Sequence, residues 1–297
     1  MELRVLRYFL AIVREENILR AAEALHVTQP ALSRQIAQLE EEVGAKLFIR
    51  GSRRITLTDA GALMYRRAEE IVALADKTVG EIADMGTGSV SGTVSIGCGE
   101  LNAVKALAKL IRIFSEQNPD VHFVFRSATA DATKDWIDKG ILDFGLLLEP
   151  SDYENFAHFR MNIPEPWVAV MRADSPLAAK EYVTADDLAG QKLIFPARKA
   201  VLDELERWLG DAYDEKNVIS SNDLMNNAAA LVEEGLGIAI GVEYPPSLYD
   251  PARFSLKKLH PEIVSDSVLV WKKNQPFGLA AARFRDFIVM SFEHNVL

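Results

Sequence analysis

Residues that can read the edges of DNA bases are spaced along one helical face between positions 28 and 38. Gln29, Ser33, Arg34 and Gln38 carry amide, hydroxyl and guanidinium groups, and their spacing places them on one side of a helix. Such groups form bidentate hydrogen bonds with bases in the major groove. The opposite side carries apolar residues at spacings of four, three and four, namely Leu32, Ile36, Leu39 and Val43. The segment therefore predicts a recognition helix with one buried face.

A shorter helical pattern precedes this segment. Its small or apolar residues, Ala21, Ala22 and Leu25, allow a second helix to cross it closely, after a turn at residues 26–29. Thr28 is a favourable N-cap, and Pro30 lies in the first helical turn, where a backbone N–H has no partner. The two patterns predict a helix-turn-helix. An amphipathic helical hairpin of an ordinary globular protein has the same pattern and is the alternative.

A short hairpin pattern follows. Leu47 and Ile49 alternate with other residues, as do Ile55 and Leu57, and a turn at residues 51–52 separates the two runs. Three arginines lie at or beside the tip, Arg50, Arg53 and Arg54. Arginines on such a wing meet phosphates or a narrow minor groove. A solvated basic turn is the alternative, but its position directly after a recognition-helix pattern favours the wing.

Residues 1–67 resemble the DNA-binding end of the LysR-type transcriptional regulators. The matching runs, in order, are LRVLRYF (3–9), RAAEAL (20–25), TQPALSRQI (28–36), LEEEVG (39–44), KLFIR (46–50) and LTDAG (57–61). One departure is Glu16-Asn17-Ile18-Leu19, where the family more often has glycine-serine-phenylalanine-threonine. The resemblance implies a winged head that binds a double-stranded DNA operator. The residues implied to contact DNA are Arg20, Thr28, Gln29, Pro30, Ser33, Arg34, Gln38, Arg50, Arg53 and Arg54.

The distribution of charge along the chain is consistent with a DNA-binding N-terminal end. The net charge is −10, but residues 1–58 hold nine Lys or Arg against seven Glu, a local charge of +2. Because phosphate attraction is screened over roughly 10 Å, the acidic remainder does not prevent DNA binding. A single cysteine, Cys98, and scattered histidines give no metal site or disulfide. No cofactor, membrane segment or secretory leader is expected, so we expect a cytoplasmic protein.

A long helix with one apolar seam is predicted after Thr58, which caps it. The seam residues recur at near-heptad intervals and are Leu63, Ile71, Leu74, Thr78, Ile82 and Met85. In the family this is the linker helix through which two chains dimerise, which implies a homodimer or homotetramer. Packing of the seam against the chain's own body is the alternative. The glycine- and serine-rich stretch at 86–92 predicts a hinge.

Strand and helix patterns alternate from Thr93 onward and predict βα units. The predicted strands are 93–97, 121–126, 143–148, 167–171, 192–195, 218–220, 238–241 and 267–271; the predicted helices are 104–117, 130–139, 201–209, 224–234 and 280–292. These residues alone indicate one or two α/β lobes. The resemblance implies a two-lobed, periplasmic-binding-protein-like effector domain. The expected fold is therefore mixed: a mainly α winged helix-turn-helix (1–58), a linker helix and hinge (59–91), and the effector domain (92–297). Within it, lobe 1 takes about 92–162 and 266–297, and lobe 2 about 163–265.

Four loops at strand ends are candidates for a small-molecule site, because ligands of α/β sheets collect there. The resemblance places them at a cleft between the lobes. The candidate residues are Cys98, Gly99, Glu100, Asn102, Ser127, Thr129, Phe195, Arg198, Asn222 and Met225. A dinucleotide site at Gly97 and Gly99 is disfavoured because Asn102 stands where the third glycine is required. Arg198 suits a carboxylate, whereas Glu100 would repel an anion unless it turned outward, so the charge of the ligand stays open.

Together these features predict a DNA-binding transcriptional regulator whose activity a small-molecule effector modulates. RNA polymerase is a further candidate partner. No nucleophile elbow, paired-histidine metal motif or phosphate-binding loop indicates an enzyme, and no catalytic residue is assigned. Two alternatives remain: a solute-binding protein with a helical N-terminal extension, and a thiol-based redox sensor that uses Cys98.

Overall fold

A computed structural model describes residues 1–50, 55–84, 90–243, 249–274 and 277–293. The chain forms two compact units, Met1–Ala83 and Asp84–Leu297. The elements of the first are α1 (Leu3–Glu15), α2 (Ile18–Ala24), α3 (Gln29–Val43), β1 (Phe48–Arg50), β2 (Ile55–Leu57) and α4 (Asp59–Asp84). The helix-turn-helix, the hairpin and the long helix are all present, as the sequence predicts.

The first three helices pack around one core. Phe9 is fully buried and its ring lies 5.0 Å from that of Phe48, which joins the hairpin to the helices. The core also includes Leu6, Ile12, Ala21, Ala22, Leu32, Ile36 and Leu39. One residue of the predicted buried face of α3 is wrong, since Val43 is 38% exposed. It is the last residue of the helix, so the apolar stripe continues past the part of the helix that has a partner.

The helix caps agree with the sequence at α4 and differ at α3. The Thr58 hydroxyl oxygen accepts from the Gly61 N–H at 2.9 Å, so Thr58 caps α4 as predicted. Gly61 is required there, because a Cβ atom would lie 2.0 Å from the Leu47 carbonyl oxygen. Thr28 occupies the N-cap position of α3, but its side chain makes no capping hydrogen bond. Asn17 caps α2 by accepting from the N–H groups of Leu19 and Arg20.

A buried carboxylate joins α3 to the start of the hairpin. Glu40 is 7% exposed; one of its oxygens accepts from the N–H groups of Leu47 and Phe48, and the other pairs with the Lys46 ammonium. Burial opposes ionisation of Glu40, but these hydrogen bonds outweigh it and hold its pKa below the ordinary value. Glu40 therefore fixes the position of the hairpin relative to the recognition helix.

The second unit contains six helices and ten strands among its described residues. The helices are α5 (Ala103–Gln117), α6 (Ala130–Asp138), α7 (Ala185–Leu188), α8 (Lys199–Leu209), α9 (Met225–Glu233) and α10 (Leu279–Glu293). The strands are β3 (Gly92–Cys98), β4 (Val121–Ser127), β5 (Phe144–Leu148), β6 (Phe156–Arg172), β7 (Tyr182–Thr184), β8 (Leu193–Pro196), β9 (Val218–Asn222), β10 (Ile238–Val242), β11 (Phe254–His260) and β12 (Val264–Lys272). Among the residues that the structure describes, no helix combines the length and apolar character that a transmembrane segment requires.

Two lobes share the long strand β6. In lobe 1 the order is β4-β3-β5-β12-β6; in lobe 2, β6 lies between β10 and β11, and β8 and β9 follow β10. Strands β3, β4 and β5 are mutually parallel, as are β8, β9 and β10, so their carboxyl ends carry the connecting loops on one edge. The antiparallel pair β6 and β12 runs from Phe156 opposite Lys272 to Pro166 opposite Val264, and joins the lobes.

All the strands and helices predicted after residue 93 are present, but four features were not predicted. These are the first half of β6, β7, α7 and β11. The unpredicted part of β6 contains the polar residues His158 and Arg160 and two prolines, Pro164 and Pro166. Prolines are uncommon within strands, so the sequence pattern does not predict a strand there. It forms because β12 provides a partner over its whole length. β11 carries Lys257 and Lys258 and pairs with β6 and β7.

A fully buried carboxylate stands where β6 meets α5. Glu165 accepts from the N–H groups of Asn102 at 2.8 Å and Ala103 at 2.9 Å, and from the Ser267 hydroxyl at 2.7 Å. Burial raises the pKa of Glu165, and these hydrogen bonds only partly oppose the rise. Glu165 thus caps α5 from the strand that joins the lobes.

Replacing Glu40 by Ala is expected to lower the free energy of unfolding of the first unit by about 1–3 kcal/mol, because the buried Leu47 N–H loses its acceptor. The folded-state pKa of Glu40 is depressed, so its ionised carboxylate stabilises the folded protein at pH values above the ordinary Glu pKa of about 4.3. This stabilisation is lost as the pH falls through the folded-state pKa of Glu40. Chemical denaturation at neutral and acid pH measures both effects. Glu41→Ala, at the exposed neighbouring position, is the control. An equal loss in the two variants would contradict the assignment.

Candidate nucleic-acid interface and ligand cavity

The polar face of α3 is open to solvent. Gln29, Pro30, Arg34 and Gln38 are exposed and Ser33 is half-buried. The Gln29 amide donates to the Ser33 hydroxyl at 3.3 Å, which joins two of the candidate base-reading groups. Arg34 and Gln38 have no side-chain hydrogen bond or ion pair among the described residues. This face can therefore enter a groove without giving up any contact of Arg34 or Gln38.

The start of α2 and the turn before α3 lie beside this face in sequence. Thr28 and Arg20 are exposed, and the Arg20 guanidinium donates to the Glu15 carbonyl at 2.6 Å. The oxygen of Asn17 that caps α2 is engaged with two backbone N–H groups at 2.8 and 3.2 Å. The sequence departure at Glu16–Leu19 therefore preserves a capped helix.

The hairpin pairs Phe48 with Leu57 and Arg50 with Ile55 in antiparallel register. The tip at residues 51–54 lies outside the described residues, and so do Arg53, Arg54 and the side chain of Arg50. The Ile55 N–H donates to the Glu16 carbonyl at 3.1 Å, which fixes the returning strand against the α1–α2 connection. The hairpin thus has the position of a wing beside the helix-turn-helix.

The apolar seam of α4 is exposed in the single chain. Leu63 is 49% exposed, Leu74 43% and Ile82 64%. Ile71 and Thr78 are also exposed, and the Thr78 hydroxyl donates to the Leu74 carbonyl. The described residues of the first unit do not cover this seam. Met85 and residues 86–89 of the predicted hinge lie outside the described residues.

A cavity of about 130 Å³ lies between the lobes of the second unit, at the carboxyl ends of the parallel strands. Seven of the predicted ligand residues line it: Gly99, Glu100, Thr129, Phe195, Arg198, Asn222 and Met225. They come from all four predicted loops. The topology brings these loops together because both parallel sheets end at this cleft.

Three predicted ligand residues do not line this cavity. The side chain of Cys98 belongs to the lobe 1 core, where it is 6% exposed. Ser127 is exposed at the end of β4. Asn102 faces a separate surface groove, and its amide donates to the Glu243 carbonyl at 2.6 Å. Proximity to a strand end placed these residues near the cleft, but the direction of each side chain depends on local backbone geometry.

The apolar walls of the cavity were not assigned from the sequence. Trp167 lines the cavity, and its indole N–H donates to the Ser265 hydroxyl at 3.0 Å. Leu148, Ile194 and Ile240 are among the other apolar residues that line it. Their only sequence signal is an apolar residue in a buried strand, which is also typical of ordinary core positions. The walls make the cavity suitable for a ligand with an apolar body.

Arg198 provides the cationic group of the cavity. It occupies the N-cap position of α8, and its guanidinium donates to the Leu148 carbonyl at 3.0 Å. No carboxylate among the described residues forms an ion pair with it. Burial lowers the pKa of Arg198, and the more distant Asp131 carboxylate partly opposes this shift. Arg198 remains a cation at neutral pH, with donors available to a ligand.

Thr129 and Asn222 supply polar groups near Arg198. Thr129 caps α6, its hydroxyl oxygen accepting from the Ala132 N–H at 3.3 Å. The Asn222 amide donates to the Ser220 hydroxyl at 3.3 Å. Both retain hydrogen-bonding capacity for a ligand.

Glu100 turns neither outward nor toward Arg198. Its carboxylate accepts from the N–H groups of Met225 and Asn226, at the start of α9 in the opposite lobe. Both oxygens of Glu100 are therefore directed at the start of α9 and not at the Arg198 side of the cavity.

A winged helix-turn-helix unit and a two-lobed α/β unit with a cavity between its lobes define a class of bacterial DNA-binding regulator. The family model "Bacterial regulatory helix-turn-helix protein, lysR family" matches residues 3–62, and "LysR substrate binding domain" matches residues 87–293. The chain belongs to the LysR family of transcriptional regulators.

Known proteins that match this chain over nearly its whole length support the same family. The Hca operon transcriptional activator HcaR of Escherichia coli (strain K12) is 29% identical, and the alignment covers 98% of this chain and 97% of HcaR. The crystal structure of CbnR, a LysR family transcriptional regulator, is similar with a TM-score of 0.77 at 21% identity, covering 98% of this chain and 99% of CbnR. Full-length CbnR complexed with its target DNA has a TM-score of 0.73 at 20% identity, covering 98% of this chain and 100% of that chain. At these identities the structural likeness supports the fold.

Cys98 is expected to be unreactive in the folded protein, because burial raises its pKa to about 11 and blocks access. Its reaction with a chromogenic disulfide reagent at mildly alkaline pH should be at least about tenfold slower than that of the chain unfolded in guanidinium. The Cys98→Ser variant provides the blank. Equal rates in the folded and unfolded protein would restore the redox-sensor alternative.

Proposed function

We propose that this LysR-family regulator binds an operator through α3 and the β1–β2 wing, and that a small molecule with a carboxylate group and an apolar body modulates it. The observation that carries the ligand part is Arg198: a partly buried cation that lines a mainly apolar cavity and forms no ion pair with a carboxylate of the described residues.

The DNA part rests on the exposed face of α3. Gln29, Pro30, Ser33 and Arg34 would read bases, with Thr28 and Gln38 at the ends of the same face. Arg20, Arg50, Arg53 and Arg54 would contact the backbone. The free guanidinium of Arg34 suits the two acceptors of guanine in the major groove.

The ligand part rests on complementary chemistry at the two sides of the cavity. A carboxylate at Arg198 would gain charge-assisted hydrogen bonds in a partly desolvated place. Thr129 and Asn222 lie where they can orient the polar end. Trp167, Phe195 and Ile240 would cover an apolar body, which is the usual composition of a small-molecule site.

Oligomer formation rests on α4. A second copy that covers Leu63, Ile71, Leu74, Thr78 and Ile82 would bury a seam that the described residues of the first unit leave exposed. We propose a homodimer or homotetramer, because two heads are required to read a pseudo-palindromic operator.

A ligand that binds one arrangement of the lobes more tightly would shift the population toward that arrangement. The shift would in turn change the spacing of the DNA-binding heads on DNA.

The division into a head (1–58), linker (59–91) and effector domain (92–297) is part of this proposal. We also propose that the protein acts in the cytoplasm, where bacterial DNA lies, and that it contacts RNA polymerase. A solute-binding protein is not favoured, since the regulatory helix-turn-helix model matches residues 3–62.

Replacing Arg34 by Ala should weaken binding to the operator in the intergenic DNA beside the gene by about 1–3 kcal/mol, because a bidentate base contact is lost. Binding to random DNA should change little. Gel-shift titrations at fixed salt measure both. Arg4→Ala removes the same charge from an exposed position on α1 and serves as control. Equal losses on both DNAs would mean that Arg34 contacts only phosphate.

Replacing Arg198 by Met should abolish stabilisation by a carboxylate ligand and leave operator affinity unchanged. The measurement is a thermal-shift screen of small aliphatic and aromatic monocarboxylates, in which a ligand at a hundred times its Kd stabilises by about 2.7 kcal/mol. Arg207→Met, on the exposed face of the same helix, is the matched control. A hit that stabilises the Arg198 variant as strongly as the original protein would remove Arg198 from the site.

A further inference from the structure

The first backbone N–H groups of α9 find their acceptor in the opposite lobe. Glu100, in the loop between β3 and α5, accepts from the N–H groups of Met225 at 2.7 Å and Asn226 at 3.2 Å. Its second oxygen accepts from the Asn226 side-chain amide. The residue before α9 is Leu224, whose side chain cannot cap a helix. The start of α9 therefore depends on a residue distant in sequence.

The same helix start borders the cavity. Glu100, Leu224 and Met225 all line it, together with Arg198. A helix N-terminus offers unpaired N–H groups and partial positive charge, which is what a ligand carboxylate would bind. Here a carboxylate of the chain itself makes those hydrogen bonds. Because Glu100 is part of the chain, it competes at a high effective concentration with any free anion for the N–H groups at the start of α9.

We propose that Glu100 is a specificity-determining residue, which fills the anion position at the start of α9 and so restricts a ligand's carboxylate to the Arg198 side of the cavity. The inference rests on the proposed ligand function and narrows the ligand class. A molecule with one carboxylate and an apolar remainder is accepted. A second carboxylate directed at α9 is excluded, because it would meet a like charge and find the N–H groups already bonded.

Other contacts keep the lobes together when Glu100 is changed. The Asn102 amide donates to the Glu243 carbonyl, and Arg198 donates to the Leu148 carbonyl; both bonds also cross between the lobes. Strand β6 itself runs through both lobes, because it pairs with β12 in its first part and with β10 and β11 in its second. Substitution at residue 100 is therefore expected to expose the start of α9 within a folded second unit.

The test is chemical rescue of the Glu100→Ser variant of the full chain with sodium acetate. Hydrogen–deuterium exchange mass spectrometry follows the amides at the start of α9. In the absence of acetate these amides should exchange about tenfold faster in the variant than in the original protein, since their acceptor is lost. Acetate should slow this exchange again in a saturable way, and sodium chloride at equal ionic strength should not. Glu116→Ser, which removes the same charge from an exposed site on α5, should exchange like the original protein.

Three results would overturn the proposal: unchanged exchange in the Glu100 variant, faster exchange that acetate does not reverse, or equal slowing by acetate in the original protein. The first would mean that Glu100 does not cap α9 in solution. The second would mean that the helix start accepts no external carboxylate, and the third that Glu100 does not exclude one. These measurements use neither operator DNA nor the natural effector. A failure here is therefore separate from a failure of the Arg198 screen.

Discussion

The unpaired N–H groups at helix starts are the constraint on which the second unit depends. Each buried helix start must find an acceptor or lose free energy comparable to a broken hydrogen bond. In α5 that acceptor is Glu165, contributed by the strand that joins the lobes, and in α9 it is Glu100, contributed by the opposite lobe. Helix capping and the joining of the lobes are thus performed by the same carboxylates. The relative position of the lobes is part of what stabilises their helices.

This arrangement also determines the electrostatics of the cavity. Two of the helix starts associated with the cleft are already bonded to carboxylates of the chain, so they do not compete for a ligand's negative charge. Arg198 differs, because its described hydrogen-bond partner is the carbonyl of Leu148 and its charge is not neutralised by an ion pair. Apolar walls around it strengthen any charge-assisted bond by excluding water. The chemistry of the site is therefore uneven: polar recognition at one side and an apolar surface elsewhere.

The first unit solves a similar problem with one buried side chain. Glu40 belongs to the recognition helix but satisfies N–H groups at the start of the hairpin, so the helix and wing are held as one body. The opposite face of α3 keeps its amide and guanidinium groups in solvent. Burial of Leu32 and Ile36 of α3 in the core that contains Phe9 of α1 supplies the stability that lets the other side of α3 remain polar and exposed. A base-reading surface needs this rigid support, because side chains that must be ordered on binding lose affinity.

Sequence patterns alone were sufficient for the helix-turn-helix, the wing strands, the long helix and most of the βα units, because those elements follow local periodicity and capping. They also located the four loops that border the cavity, since loops after parallel strands meet at one edge. They did not predict β11, the first half of β6 or the Trp167 wall, which form only when a partner strand or lobe is in place. The role of Glu100 is the clearest case. Its partner is 125 residues away, and no local spacing encodes that contact, so whether this acid repels a ligand or caps a helix was decided only by the packing of the two lobes.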